Sequence, residues 1–445
     1  MNETEKKIPK RIAQTVLGSL KGGVVPRVGL PYVAVGRKNE IAALLSDVDV
    51  IAEGGAAFRF IVGRYGAGKS FLLQTIRNFV LEKGFIVADA DLSPERRLQG
   101  TRGQGLATYR ELIGNLATKT RPEGGALALL LDRWISMAMQ AAAEAGFSPD
   151  DPAFSSAVDK KIYAVTASLT ELVHGFEFSR LLSVYYHAYV NGDDEKKGAV
   201  LRWFRAEYET KKEAKEALGV GVIVTDDDWY DYLKLFAMFF RLSGYTGMLI
   251  VIDELVNLYK IPNSVTRQYN YEKLLTMYND VLQGKARYFG VLMGATPQAL
   301  EDKRRGIYSY EALRSRLAEG KFSRPGRRDL LAPVIRLDPL TPEEMLVLCS
   351  KLTQMHAALY GWSPAVTDAD LAFFLKVEYE RVGADANITP REVIRDFIEL
   401  LDLLFQHPGA TPQGLLGSGD FAFAESAAIG EEGSAADADF AEFTI

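Results

Sequence analysis

The stretch Gly63-Arg64-Tyr65-Gly66-Ala67-Gly68-Lys69-Ser70 constrains this chain more tightly than any other. Its spacing is GxxxxGK[ST]. Glycines at those positions let backbone N–H groups curl around phosphate oxygens, and a helix starting just after them adds its positive dipole end. The flanks agree with that use. FRFIVG (58–63) is a short apolar run ending in glycine, as a buried parallel strand would be. FLLQTIRNFV, inside an expected helix over 69–83, follows it, and FIVADADL (85–92) reads as a second strand. Strand, glycine loop, helix and strand make a βαβ unit. The candidate phosphate cradle is therefore Gly63, Tyr65, Gly66, Ala67, Gly68, Lys69, Ser70 and Phe71. In such a loop the lysine, Lys69, reaches the β/γ-phosphates of a nucleotide and the Ser70 hydroxyl ligates Mg²⁺.

Four further places carry chemistry that such a loop needs. MLIVIDE (248–254) predicts a buried strand whose end presents Asp253 to the Mg²⁺ shell and Glu254 to an attacking water. VLMGATPQ (291–298) ends a strand at Thr296, either a residue that orients the lytic water or a turn residue before Pro297. ALRSRLAEG (312–320) puts Arg314 and Arg316 on a helix, as a trans-acting arginine for a neighbouring subunit's γ-phosphate or as two solvated cations. ITPREVIRDF (388–397) places Arg391 at a helix start, to reach the γ-phosphate from a lid or to lie on an ordinary surface.

The rest of the sequence bounds the organisation. One cysteine, Cys349, excludes a disulfide framework or a Cys-rich zinc site, and four scattered histidines offer no metal-binding spacing. No run of about 18 apolar residues and no signal peptide are visible, so a soluble, cytoplasmic protein without membrane contact is expected. The net charge is −6, but residues 409–445 hold seven acids and no Lys or Arg. Without them the chain has 52 basic and 51 acidic residues, so the acidity belongs to a tail. Two small basic clusters, Lys6–Arg11 and Lys321–Arg328, leave DNA contact open, and the tail's repeated Asp-Phe-Ala suits a docking peptide or an inert arm.

The order of these features resembles that of AAA+ ATPases, particularly the initiator-type branch. In that resemblance AVGRKNEIAALL is similar to the segment before the P-loop, which puts Gly36 and Arg37 near the adenine. The 184-residue step from Lys69 to Asp253 departs from it and implies a large helical insertion. The expected fold is α/β: a parallel P-loop NTPase sheet flanked by helices, with that insertion and a C-terminal helical lid. Expected boundaries are an N-terminal helix and extended approach (1–35), a split core (36–92 and 246–340), the insertion (93–245), the lid (341–408) and a disordered acidic tail (409–445).

More specific strings narrow the match. GVVPRVGLPYVAVGR (23–37), GRYGAGKSFLLQTIRN (63–78), DLSPERRLQG (91–100), ATYRELIGNLATKTRPEGGAL (107–127) and APVIRLDPLTPEE (332–344) are similar to the ATP-binding proteins of bacteriophage-exclusion (BREX) defence systems. The resemblance implies ATP and Mg²⁺ as cofactors, ATP hydrolysis that drives assembly or remodelling of a defence complex, and homo- or hetero-oligomers. It also implies partners: a methyltransferase, a phosphatase-like protein and a helicase. Two other functions stay open, a nucleotide-gated scaffold with little turnover and a DNA-binding loader.

Overall fold

The computed structural model describes residues 8–169, 171–318, 320, 328–382 and 389–417. Lys6, Lys7, Lys321, Arg324, Arg327 and the tail from 418 lie outside them. The described residues form two compact units, one holding 8–36, 64–71 and 338–417, the other 37–63 and 72–337.

The larger unit is built on a five-stranded sheet: β1 (Ala56–Val62), β2 (Ile86–Asp91), β3 (Met248–Asp253), β4 (Phe289–Ala295) and β5 (Val334–Arg336). The order is β2-β3-β4-β1-β5, and every pairing is parallel. Apolar residues run almost unbroken along β3 and β4, as they must when helices cover both faces. Side chains alternate between those faces. Ile61, Val87, Leu249, Val251 and Leu292 pack with Leu72, Leu73, Ile76 and Val80 of helix Lys69–Glu82 and with Leu44, Val48 and Ile51 of helix Lys38–Ala52.

The opposite face (Phe60, Ile86, Ile250, Ile252, Phe289, Val291, Met293) is covered by the long helical stretch between β2 and β3 together with helix Ser264–Leu282. Those helices do not keep a core of their own. Tyr109, Phe178, Trp203, Phe204, Trp229, Phe236 and Phe239 belong to one apolar cluster continuous with the sheet. Buried aromatic rings carry polar tips that need partners. Trp203 Nε1 donates to Val222 O (2.7 Å), Trp229 Nε1 to Leu98 O (3.0 Å) and the Tyr109 hydroxyl to Phe204 O (2.8 Å). This helical stretch thus serves as one layer of the sheet domain.

The smaller unit packs helix Lys10–Lys21 with helices Pro342–Tyr360, Asp368–Val382 and Pro390–Gln406. Ala13, Val16, Leu17 and Leu20 lie on the buried stripe of the first helix, at the spacing its sequence shows. They meet Met345, Leu348, Leu352, Val393, Phe397 and Leu401, with Cys349 fully buried among them. Thr341 and Glu344 form the capping box that their spacing suggests. Residues 409–417, expected in the tail, include helix Pro412–Gly417, whose Leu416 is buried and whose Gln413 donates to Asp370. Pro412 and Leu416 supply enough apolar surface to dock that turn, which the acidic composition farther along concealed.

Candidate functional site

The glycine loop begins where β1 ends, and Gly63 N donates to Ala295 O at the end of β4 (3.1 Å). Gly66 (φ +78°) and Gly68 (φ +91°) take left-handed backbone, which a side chain would strain. The two differ in surroundings. A Cβ at Gly68 would meet nothing within 4 Å, so that backbone faces open space, as a phosphate cradle must. A Cβ at Gly66 would lie 2.7 Å from Thr389 Oγ1. Ala67 N closes a turn on Arg64 O (3.1 Å), and Lys69 Nζ reaches back to the same carbonyl (3.0 Å). Ser70 is exposed at the start of its helix, with Phe71 half-buried after it.

Within the smaller unit the loop tip meets Arg391. The guanidinium lies 5.0 Å from the centre of the Tyr65 ring and also donates to Gly23 O. Thr389 and Glu392 hold that helix start by a second capping box, Thr389 N donating to Glu392 Oε2 (2.9 Å). The T-x-x-E spacing that marks such a helix start is visible in the sequence. Gly36 (φ +64°) has no room for a side chain against Glu344 Oε1 (2.7 Å). In the larger unit Arg37 is left-handed too (φ +60°), and its Nη1 faces Glu40 Oε1 at 3.5 Å.

The strand ends gather the acidic residues. β4 lies between β1 and β3, so the first loop residue, Thr296 and Asp253 leave the same sheet edge. Asp253 is buried, and its Oδ1 accepts the Glu254 N–H (2.8 Å). Glu254 itself is left-handed (φ +61°), a conformation that costs a non-glycine residue roughly 1–2 kcal/mol. The surrounding backbone holds it there: Leu255 N donates to Gly294 O (3.1 Å), Leu92 N to Asp253 O (3.1 Å) and Asn257 Nδ2 to Leu92 O (2.8 Å).

Gly294 escaped the sequence reading. A Cβ there would overlap the Asp253 carboxylate, so the acid occupies space that only glycine leaves on the neighbouring strand. A glycine inside a strand pattern signals such close approach. Asp91 pairs with Asp253 in register, and burial together with the Asp253 and Asp89 charges raises its carboxyl pKa.

Thr296 caps helix Pro297–Glu301, its hydroxyl accepting from Ala299 N (3.2 Å). On helix Glu311–Leu317 Arg316 is exposed and Arg314 half-buried; Arg314 pairs with Glu311 and Arg316 Nη1 donates to Ala312 O (2.7 Å). Arg96, next to Asp91, pairs with Glu111 (3.5 Å), which gives DLSPERR a structural salt bridge.

Among the described residues no group of three His, Cys, Asp or Glu could hold a metal ion alone. That donor set suits Mg²⁺ only when phosphate oxygens complete the shell, its usual arrangement with nucleotides. None of the described helices is long and apolar enough to cross a membrane.

The family model described as BREX system ATP-binding protein BrxC/D matches residues 8–420. The chain belongs to that family. No curated protein matches it. Membership gives the BrxC/D chain an ATP-binding role in a BREX defence system. The match also continues past residue 408 through helix Pro412–Gly417.

Proposed function

We propose that this BrxC/D-family chain hydrolyses ATP as an AAA+-like ATPase and uses its nucleotide state to assemble or remodel a BREX defence complex. The observation that carries the proposal is a buried aspartate followed by a strained glutamate at the end of β3, in the same parallel sheet whose β1 runs into the glycine loop. Strain of that kind gathers at functional sites, where it sets a side chain's direction.

In this scheme the backbone N–H groups of 66–69 and Lys69 bind the β/γ-phosphates, and Ser70 and Asp253 hold Mg²⁺. Bound Mg²⁺ neutralises charge that develops on the transferred phosphoryl oxygens. Glu254 orients and deprotonates the attacking water. Arg391 exchanges Tyr65 for the γ-phosphate, and Arg314 or Arg316 acts on a second subunit. Thr296 holds the β4 end rigid beside the water.

Lys69→Ala should abolish binding of a fluorescent ATP analogue, whereas Glu254→Gln should bind it and lose at least a hundredfold in phosphate release. Wild-type turnover in Glu254→Gln would overturn the assignment.

A further inference from the structure

Outside the nucleotide site, two loops on the larger unit bring four cations together. The chain leaves β3 through Glu254 and helix Val256–Tyr259 to exposed Lys260. It leaves β4 through Thr296 and helix Pro297–Glu301 to Lys303, Arg304 and Arg305, all exposed. The loops are tied to each other. Tyr259 donates its hydroxyl to Asp302 Oδ2 (3.1 Å), and Arg305 Nη2 donates to Tyr259 O (3.4 Å) and Ile261 O (3.5 Å). The Arg305 guanidinium also lies 5.3 Å from the Tyr259 ring centre.

The second loop is stiff. Asp302 Oδ1 accepts from Arg304 N (2.6 Å) and Arg305 N (3.2 Å), Gly306 N closes on Asp302 O (2.8 Å), and Tyr271 donates to Arg305 O (2.6 Å). A Cβ at Gly306 would meet Asp302 backbone atoms at 2.8 and 2.9 Å, so the turn closes only on glycine. Asp302 is thereby committed to the loop, and neighbouring Glu301 to Arg336 (2.8 Å). Among the described residues, Lys260, Lys303, Arg304 and Arg305 form no ion pair. Asp302 offsets one of these charges, and the net positive patch left on the stiff backbone attracts an anionic partner.

We infer that Lys260 and Lys303–Arg305 form a nucleic-acid-binding surface that grips the phosphate backbone. Repeating phosphates match several fixed cations at once, and arginine forks match phosphate geometry. Lys260 is six residues beyond Glu254 and Lys303 seven beyond Thr296, so both halves hang from strand ends of the nucleotide site. Nucleotide state can therefore shift the grip.

The test is fluorescence anisotropy of the full chain with a labelled 30-base-pair duplex and, separately, a 30-nucleotide single strand, titrated across salt. Lys260→Gln, Lys303→Gln and Arg304→Gln are combined, leaving Arg305 because its guanidinium holds the loop. The control removes the same charge from exposed Lys211, Lys212 and Lys215 on helix Lys211–Leu218. The expected result is binding at least tenfold weaker in the patch variant and within twofold of wild type in the control. The log–log salt slope should also become shallower by about 2–3. Equal weakening in the two variants overturns the inference, as does no binding of either nucleic acid by wild type. Binding of a poly-glutamate peptide in place of nucleic acid also overturns it, since the surface would then serve an acidic protein. Unchanged binding of the fluorescent ATP analogue by the patch variant separates this result from failure of the nucleotide site.

Discussion

Asp253 and Gly294 act as one unit although only the first looks functional in the sequence. The carboxylate fills the place of the missing Cβ, so Gly294→Ala pushes Asp253 off its position while leaving every named catalytic side chain in the chain. We expect a loss of at least tenfold in ATP turnover, with binding of the ATP analogue changed far less, measured by phosphate release and fluorescence titration. Wild-type turnover would show that Asp253 does not need its observed place. Glu254 illustrates the opposite limit of legibility. Its chemistry is plain from the pair Asp-Glu, but its left-handed backbone depends on bonds from β2 and β4 that no local pattern encodes.

At the level of elements, strand and helix identities follow from short-range pattern: the strand before the glycine loop, the helix after it and the capping box at Thr341 all appear where the sequence places them. Strand order does not follow, because β4 enters between β1 and β3 and pairs with β1 across more than two hundred residues of chain. The role of the helices between β2 and β3 as a sheet layer is hidden as well: an aromatic helix such as Trp229–Leu242 looks alike whether it packs on other helices or on a sheet. Helices Lys10–Lys21, Pro342–Tyr360 and Pro390–Gln406 are also joined by a polar group. Lys21 Nζ sits 2.5 Å from Asp402 Oδ2, and His356 Nε2 lies 3.1 Å from Oδ1. Burial raises the Asp402 pKa, but hydrogen bonds from His356 and Lys21 outweigh it and hold the carboxyl below its usual range. A depressed carboxyl pKa adds stability above the ordinary aspartate value, and that stability is lost as pH falls through the folded value. Asp402→Asn should therefore cost about 1–2 kcal/mol at pH 7 and progressively less below pH 4, read as the difference in thermal midpoint from wild type.

For the whole molecule, the composition divides the chain at about 408, whereas the structure has helix Pro412–Gly417 beyond that point and the family match runs to 420. Buried Leu416 and the bond from Gln413 to Asp370 anchor that last turn. A chain ending at 417 should melt with the full-length protein. One ending at 408 should lose about 1.5–3 kcal/mol, the worth of one buried leucine, by calorimetry. Equal midpoints for both truncations would place helix Pro412–Gly417 outside the cooperative unit. The net charge of −6 still comes from the acids beyond 417, so either truncation makes the protein nearly neutral.

The lone thiol has a practical consequence. Burial pushes the Cys349 pKa upward and keeps the sulfur from solvent, so maleimide reagents should ignore the native fold. A cysteine introduced beside Tyr65 or on the Lys303–Arg305 loop then becomes the single labelling address. Fluorophores can report loop motion during turnover without first removing any native residue.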